Sequence, residues 1–371
     1  MTYLGENIPK LGFGLMRLPQ NDGEIDIEQV KAMVDRFMAA GFTYFDTAFG
    51  YNEGKSEIAA RQALVERYPR ETYQLATKLP AWEANSAAEA RAMFQTSLER
   101  TGAGYFDFYL LHNLGDARIQ KFYDYDLWNF VREQKEKGLV RHIGFSFHDK
   151  AERLDELLTR HPETEFVQLQ INYADWEHSA IESRKCYEVA CKHGKPIIIM
   201  EPVKGGNLAD LPSHLEQILK TANPEVSTAS WAIRFAASLD NIITVLSGMS
   251  NVEQMEDNLS YMKDFQPLTD PERQALTQVQ QALQKMPSIP CTACGYCIKN
   301  CPSGIPIYQI FKAINRNLVF NTFDLAKGNY NFETRWGNKA SACIECGKCE
   351  EVCPQHIPVI DTLKTAVELF E

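Results

Sequence analysis

The stretch IEQVKAMVDRFMAAGFTYFDTA (residues 27–48) joins one helix pattern directly to one strand pattern. In residues 27–41 apolar side chains recur at helical spacing, and the segment closes on Gly41, a residue type that often follows the last turn of a helix. Residues 43–48 form a short β-type run. A unit of this kind, repeated along the chain, predicts an α/β fold.

The same alternation of short β-type runs with longer helical patterns extends from residue 11 to about residue 265. The strand candidates are LGFGL (11–15), TYFDTA (43–48), YQLATKL (73–79), FDFYLLH (106–112), HIGFSF (142–147), FVQLQIN (166–172), PIIIMEP (196–202) and ITVLSG (243–248). Eight strand–helix units in about 250 residues predict a (β/α)8 TIM barrel. A doubly wound open sheet also alternates strands with helices and stays open as an alternative.

The composition of the 371-residue chain limits its partners and its compartment. The net charge is 38 − 49 = −11, which argues against non-specific binding to nucleic acid or to anionic membranes. The N-terminal stretch MTYLGENIPKLGFG lacks the pattern of a signal peptide, and no apolar run approaches the roughly 20 residues that span a bilayer. We therefore expect a soluble, cytoplasmic protein, in which cysteine serves metal or redox chemistry before disulfides.

The sequence pattern changes after the helix-like stretch LTDPERQALTQVQQALQKM (268–286). Beyond it the chain contains two cysteine-rich runs and two further helical patterns, YQIFKAINRNL (308–318) and IDTLKTAVELF (360–370). We therefore predict a barrel domain over residues 1–286 and a smaller helical domain over residues 287–371.

Eight of the ten cysteines lie in the runs CTACGYCIKNCP (291–302) and CIECGKCEEVCP (343–354), each with the spacing C-x2-C-x2-C-x3-C-P. This spacing is typical of two [4Fe–4S] clusters, in which the fourth cysteine of each run binds the other cluster. The predicted ligands are Cys291, Cys294, Cys297 and Cys353 for the first cluster, and Cys343, Cys346, Cys349 and Cys301 for the second. Zinc also uses C-x2-C pairs, but it does not need a repeated three-thiolate run followed by proline. The helical patterns between the runs resemble a helical, ferredoxin-like domain.

Polar residues stand at the ends of the predicted barrel strands, where (β/α)8 enzymes carry their chemistry. These residues are Asp46 with Tyr51 just beyond it, Lys78, His112, Ser146, Gln168 with Gln170, Glu201 with Lys204, and Ser247 with Gly248. Unpaired polar groups are costly to bury. Their convergence at successive strand ends therefore indicates a functional site.

Three stretches, GFTYFDTAFGY (41–51), LATKLP (75–80) and LLHN (111–114), resemble the aldo-keto reductases, and the resemblance covers residues 8 to about 265. It implies reduction of a carbonyl by a nicotinamide cofactor, with Asp46, Tyr51, Lys78 and His112 as the catalytic tetrad. The chemistry is coherent, because an ammonium beside a tyrosine favours the phenolate and makes the hydroxyl a better proton donor. Asp46 would orient Lys78, and His112 would position the carbonyl.

The resemblance also implies positions for the cofactor. They are Ser146, Gln168 and Met200, and, in the loop SGMSNVEQMEDN (247–258), Ser247, Gly248, Ser250, Gln254 and Asn258. Here Phe147 replaces the family's asparagine, and Met200 replaces its stacking tyrosine. Gly248 and Gln254 replace the lysine and arginine that bind a 2′-phosphate. NADPH, NADH and a different redox cofactor therefore stay open, and the sequence has no flavin motif.

Three functional hypotheses follow. The first is an iron–sulfur oxidoreductase that reduces a small carbonyl or related substrate and exchanges electrons with two clusters and a redox partner protein. Because nicotinamide transfers two electrons as hydride and a cluster transfers one, a flavin or a radical-bearing substrate would have to mediate. The second is an ordinary NAD(P)H-dependent carbonyl reductase whose cluster domain is structural or a docking module. The third is a nucleotide-binding redox sensor without turnover.

Overall fold

The computed structural model describes residues 4–115, 118–178, 181–320, 322–335 and 337–371. Its strands are β1 (Leu11–Gly14), β2 (Gln20–Asn21), β3 (Glu24–Ile25), β4 (Tyr44–Asp46), β5 (Gln74–Leu79), β6 (Phe106–Leu114), β7 (Val140–Phe147), β8 (Phe166–Gln170), β9 (Ile197–Met200) and β10 (Ile242–Ser247). Eight of them are parallel neighbours in the closed order β1-β10-β9-β8-β7-β6-β5-β4, and β2 and β3 form an antiparallel hairpin. The TIM barrel is therefore confirmed. The open-sheet alternative is wrong, because β1 pairs with both β4 and β10.

Helices follow the barrel strands and continue to the C-terminal region. They are α1 (Ile27–Ala39), α2 (Lys55–Ala60), α3 (Ala87–Thr101), α4 (Ile119–Asp124), α5 (Leu127–Glu136), α6 (Ala151–Arg160), α7 (Ser183–Lys192), α8 (Ser213–Ala222), α9 (Thr228–Ala237), α10 (Val252–Met262), α11 (Asp270–Lys285), α12 (Tyr296–Asn300), α13 (Ile307–Phe320), α14 (Phe323–Glu333), α15 (Lys348–Glu351) and α16 (Val359–Phe370). None of the helices in the described part of the chain is long and apolar enough to cross a membrane.

Helix α1 shows how the local sequence determines an element. The Asp26 carboxylate accepts a hydrogen bond from the Gln29 amide at 3.1 Å and caps the helix start. The buried residues Val30, Met33, Val34 and Phe37 follow the i, i+3, i+4, i+7 pattern of one helix face. Gly41 follows the end of the helix with φ 87°, a left-handed conformation that suits glycine.

Apolar side chains from six strands fill the inside of the barrel. They are Tyr44, Ala76, Phe108, Leu110, Phe166, Ile198, Ile243 and Leu246. The ring of Phe108 packs edge-on against both Tyr44 and Phe166, at 5.1 Å between centroids in each case. Because the interior is a packed core, polar chemistry is confined to the ends of the barrel strands.

The chain divides into two compact units. The first comprises the described residues within 4–178, 182–202 and 229–268, and the second comprises residue 181 and the described residues within 203–228 and 269–371. Helices α8 and α11 fall in the second unit, where they pack together and the Asn223 side-chain amide donates to Glu272 Oε1 at 3.1 Å. The sequence alone places both helices in the barrel domain. The domain limits 1–286 and 287–371 stay a prediction.

The C-terminal helices of the second unit enclose a small hydrophobic core. It consists of Ile305, Ile307, Ile310, Phe311, Ala313, Ile314, Ala326, Tyr330, Ala340, Cys349, Ile357, Val359, Leu363, Ala366 and Phe370. The helical patterns at 308–318 and 360–370 lie within α13 and α16, which supply much of this core. Five further cysteines pack against it, so the cysteine runs are part of the packing of this unit.

Candidate active site and metal centres

Lys78, near the end of β5, joins three neighbours at the C-terminal end of the barrel strands. Its Nζ atom lies 2.5 Å from Asp46 Oδ1 and 2.7 Å from the Thr47 carbonyl oxygen. The same atom lies 3.4 Å from the Tyr51 hydroxyl oxygen and 4.8 Å from the centre of the Tyr51 ring. The Lys78 side chain is 1% exposed, so these contacts replace water around the ammonium group.

Burial and ion pairing shift the pKa values of Lys78 and Asp46 in opposite directions. Burial lowers the pKa of Lys78, while the charge and hydrogen bond of Asp46 raise it. Burial also raises the pKa of Asp46, against the lowering effect of Lys78 and of a hydrogen bond from Gln168. The Gln168 side-chain amide donates to Asp46 Oδ2 at 3.1 Å. The structure therefore places Gln168 beside the tetrad, and its predicted contact with a cofactor stays a prediction.

His112, on β6, faces the same site. Its ring centre lies 5.9 Å from that of Tyr51 and 5.0 Å from that of Trp82. Burial, followed by the positive charges of Lys78 and Arg118, holds the pKa of His112 well below its usual value. Within the described residues the buried Nδ1 atom of His112 has no hydrogen-bond partner. A neutral imidazole with an unused polar atom is suited to a hydrogen bond with a substrate.

We expect the His112 ring to take up a proton only at a lower pH than an ordinary imidazole does, because its pKa is held well below the usual value. Because its folded pKa is depressed, its contribution to stability is complete above about pH 6.5 and is lost as the pH falls toward the folded value. Nitrogen NMR of labelled histidine measures this, with His112→Gln assigning the signal. Protonation of His112 at about pH 6.5 would contradict the assignment of a neutral imidazole.

Trp82 and Arg118 are site residues that sequence reasoning missed. Trp82 lies in the short helical turn Ala81–Glu83, which follows β5 directly, and the Arg118 guanidinium lies 4.1 Å from the centre of its ring. A search of all residues just beyond the strand ends would have found Trp82. The position of Arg118, four residues after the end of β6, gives no comparable signal.

The stretch predicted to bind the cofactor phosphate, residues 247–258, runs from the last residue of β10 into the first two turns of α10. The Asn258 side-chain amide donates to Ser247 Oγ at 2.7 Å, and the Ser250 amide donates to Gln254 Oε1 at 2.7 Å. Asn251 caps α10 by accepting a hydrogen bond from the Gln254 amide. These bonds hold the loop at the N-terminus of a helix, where an anionic group is favoured. The side chain of Arg17 lies beside Gly248. A Cβ atom at position 248 would lie 3.4 Å from Arg17 Cδ.

The remaining predicted cofactor positions, Ser146 and Met200, lie at the ends of β7 and β9. Ser146 Oγ accepts a hydrogen bond from the Asn113 amide at 2.7 Å and is buried. Met200 pairs in register with Gln170 and is only partly buried. Their roles toward a cofactor stay predictions.

The eight cysteines of the two runs line two separate cavities. Cys291, Cys294, Cys297 and Cys353 line one cavity, and Cys301, Cys343, Cys346 and Cys349 line the other. Each cavity therefore combines three cysteines of one run with the fourth cysteine of the other. This grouping is the one that the spacing predicts for two clusters.

The chemistry of both cavities fits an iron–sulfur cluster. Four thiols surround each space, and the other lining residues include apolar side chains such as Phe311, Ile357, Ile305 and Leu363. Among the residues that the structure describes, no group of three His, Cys, Asp or Glu side chains could hold a single metal ion. Four thiolates at one site are the ligands that a [4Fe–4S] cluster uses.

A loop of the second unit, residues 203–208, holds the start of the first cysteine run. The Asn207 side-chain amide donates to the Cys291 carbonyl oxygen at 3.1 Å. Gly205, with φ 66°, lies so close to Thr292 that a Cβ atom there would collide with the Thr292 carbonyl oxygen. Glycine is therefore required at position 205 both for its backbone conformation and for this close approach.

Comparison with known proteins finds a matching family model for each of two parts of the chain. The family model "Aldo/keto reductase family" matches residues 10–281, and the model "4Fe-4S dicluster domain" matches residues 290–357. An aldo-keto reductase of Mycolicibacterium smegmatis is 30% identical over 268 residues, which cover 71% of this chain and 86% of the relative. One from Mycolicibacterium vanbaalenii is 28% identical over 265 residues, covering 71% and 85% respectively.

A solved structure agrees with the barrel. The aldo-keto reductase of Klebsiella pneumoniae in complex with NADPH superposes with a TM-score of 0.60 at 22% identity, covering 74% of this chain and 91% of that chain. At this identity the likeness concerns the fold. The family model spans most of the chain, and the catalytic roles of Asp46, Tyr51, Lys78 and His112 stay predictions. The chain belongs to the aldo/keto reductase family and carries a C-terminal 4Fe–4S dicluster domain.

Proposed function

We propose that this oxidoreductase reduces the carbonyl group of a small molecule at the barrel and exchanges electrons with two [4Fe–4S] clusters. In this exchange the nicotinamide gives two electrons as hydride to a bound flavin or to a substrate that can carry a radical, and this mediator passes one electron to each cluster. The observation that carries the proposal is the position of the Lys78 ammonium, between Asp46 Oδ1 at 2.5 Å and the Tyr51 hydroxyl at 3.4 Å. A buried ammonium held beside a tyrosine hydroxyl is an arrangement for proton donation.

The tetrad residues have separate roles in this proposal. Tyr51 donates its hydroxyl proton to the carbonyl oxygen, and the adjacent Lys78 ammonium stabilises the phenolate that remains. Asp46 fixes the position of Lys78, and neutral His112 orients the carbonyl. A bound nicotinamide supplies the hydride to the carbonyl carbon.

We propose that either NADH or NADPH serves as the nucleotide. The loop 247–258 presents the N-terminus of α10, which suits a phosphate group. Position 254 carries a neutral glutamine whose side chain already accepts the Ser250 amide, and position 248 is a glycine. Because neither supplies a cation for a 2′-phosphate, we expect no strong preference for NADPH.

We further propose that each cysteine cavity holds one [4Fe–4S] cluster, with Cys291, Cys294, Cys297 and Cys353 as one ligand set and Cys301, Cys343, Cys346 and Cys349 as the other. A bound cluster supplies one-electron transfer. Cys346 is exposed, and beside it Ile344 is 66% exposed. This side of the second cavity is therefore open to an external redox partner protein.

Anaerobic reduction tests the exchange of electrons. We expect NADH or NADPH, added separately to protein with reconstituted clusters, to bleach their visible absorbance and to produce an electron paramagnetic resonance signal. The variant Lys78→Met should not show this change, because the barrel site no longer functions. Clusters that stay oxidised while the same sample reduces benzaldehyde would contradict the exchange.

That outcome would favour a second candidate function, an ordinary carbonyl reductase whose clusters are structural. One observation supports this candidate. Cys349 belongs to the hydrophobic core of the C-terminal helices, and five other cysteines pack against that core. Metal ligation supplies folding free energy in small domains of this kind. A sensor without turnover is less well supported, because a nucleotide-binding protein has no need for an assembled proton donor.

A further inference from the structure

The loop that carries Tyr51 has an unusual backbone. Asn52, Glu53 and Gly54 follow Tyr51 directly and have φ values of 48°, 59° and 86°. Three successive left-handed residues, two of them not glycine, persist only where the surrounding structure fixes them. The position of the Tyr51 hydroxyl therefore depends on contacts made by other parts of the barrel.

Arg100, near the end of α3, makes such contacts along the whole loop. Its Nη1 atom donates to the Phe49 carbonyl oxygen at 3.0 Å and to Glu57 Oε2 at 3.3 Å. Its guanidinium carbon lies 4.3 Å from the centre of the Phe49 ring. The guanidinium also fills the space beside Gly54, where a Cβ atom would lie 2.7 Å from Arg100 Cζ. Arg100 thus touches the residues before, within and after the strained segment.

Glu57 links this loop to the strand that carries Lys78. Its carboxylate is fully buried and accepts a hydrogen bond from Thr77 Oγ1 at 2.7 Å. Thr77 directly precedes Lys78, and the Phe49 amide donates to the Lys78 carbonyl oxygen at 3.3 Å. The negative charge of Glu57 also adds to that of Asp46 in raising the pKa of Lys78 against the effect of burial.

We propose that Arg100 and Glu57 are positioning residues, which hold the Tyr51 hydroxyl beside the Lys78 ammonium. The inference rests on the proposed catalytic role of Tyr51. It extends that role, because neither residue belongs to the tetrad, and the tetrad alone does not explain the strained loop. A purely structural ion pair would stabilise the barrel without affecting the environment of Tyr51.

The test compares Arg100→Met with Arg61→Met. Arg61 lies in the same unit and pairs with Glu66 at the surface, so its loss is a matched control. Because Arg100→Met leaves the buried Glu57 charge without its partner, the double variant Arg100→Met/Glu57→Gln is measured as well. It removes the charge imbalance and separates a folding defect from a positioning defect.

The first readout is the carbon NMR signal of labelled Tyr51, assigned with Tyr51→Phe and followed against pH. We expect its shift and its titration to change in Arg100→Met and in the double variant, and to stay unchanged in Arg61→Met. Glu57→Gln alone should move the basic limb of the kcat/KM profile to lower pH, because a negative charge that raises the pKa of Lys78 is lost.

The second readout is kcat for benzaldehyde with NADH or NADPH. A misplaced Tyr51 hydroxyl should lower kcat by about 10- to 100-fold in Arg100→Met and in the double variant. If the folded double variant showed the same Tyr51 titration and the same kcat as the wild type, the inference would be overturned. The proposed function would be unaffected by that result. Equal rates in the wild type and in Tyr51→Phe would instead overturn the proposed function.

Discussion

Tyr51→Phe is expected to lower kcat for benzaldehyde reduction by about 10²- to 10⁴-fold, the usual contribution of a positioned general acid. The change removes only the hydroxyl oxygen, which lies 3.4 Å from Lys78 Nζ, and keeps the ring that faces His112. We therefore expect the dissociation constants for NADH and NADPH to stay within about twofold of the wild type. Stopped-flow and steady-state kinetics measure the rates, and fluorescence titration measures nucleotide binding.

Tyr68→Phe provides the matched control for this variant. It removes a tyrosine hydroxyl that donates to Asp35 at 2.5 Å, in the same unit but outside the tetrad. Its kcat should remain at the wild-type level. If Tyr51→Phe retained more than about a tenth of the wild-type rate, another group would have to donate the proton, and the proposed role of Tyr51 would be wrong.

In double cysteine variants, the number of intact clusters is expected to depend on which cavities lose a thiol, and not on which sequence runs lose one. Cys301→Ala/Cys346→Ala removes two thiols from one cavity and should leave one intact [4Fe–4S] cluster. Cys297→Ala/Cys301→Ala removes neighbouring thiols of one run, but one from each cavity, and should leave no cluster with four thiolate ligands. Mössbauer spectroscopy of anaerobically reconstituted protein counts the intact clusters.

The control for these variants is Cys186→Ala/Cys191→Ala, because both residues lie on α7 and line neither cavity. It should keep two clusters. The reverse result, with an intact cluster in Cys297→Ala/Cys301→Ala and none in Cys301→Ala/Cys346→Ala, would show that each run binds its own cluster. The prediction that the fourth cysteine of each run binds the cluster of the other run would then be wrong.

Local sequence patterns were sufficient to predict the barrel fold. The helical spacing in residues 27–41 and the β-type run that follows describe contacts within one strand–helix unit, and such patterns do not depend on the rest of the chain. The convergence of polar side chains at one end of the barrel was predictable for a related reason. Asp46, Lys78 and His112 stand at or near the ends of neighbouring strands, and parallel strands bring their ends to one face of the barrel.

Contacts between distant segments were not predictable in this way. Arg100 and Glu57 are separated by 43 positions and lie inside helices α3 and α2, where charged residues usually indicate a solvated face. Glu57 is buried and Arg100 is partly exposed, and the two meet because helices α2 and α3 pack together. The same limit applies to Gln168, whose contact with Asp46 crosses the barrel interior, and to α8, which packs with α11 although both follow barrel-like patterns.

The shared arrangement of thiols in the two cavities has a consequence for biosynthesis. A ribosome releases the N-terminal segments first, so all barrel strands emerge before the first cysteine run. That run alone offers three thiols to its own cavity, because the fourth is Cys353. The second cavity obtains all its thiols only when Cys349 has been made. Four thiols can therefore surround either cavity only after Cys349 or Cys353 has been translated, so any metal centre there matures after the barrel has been synthesised.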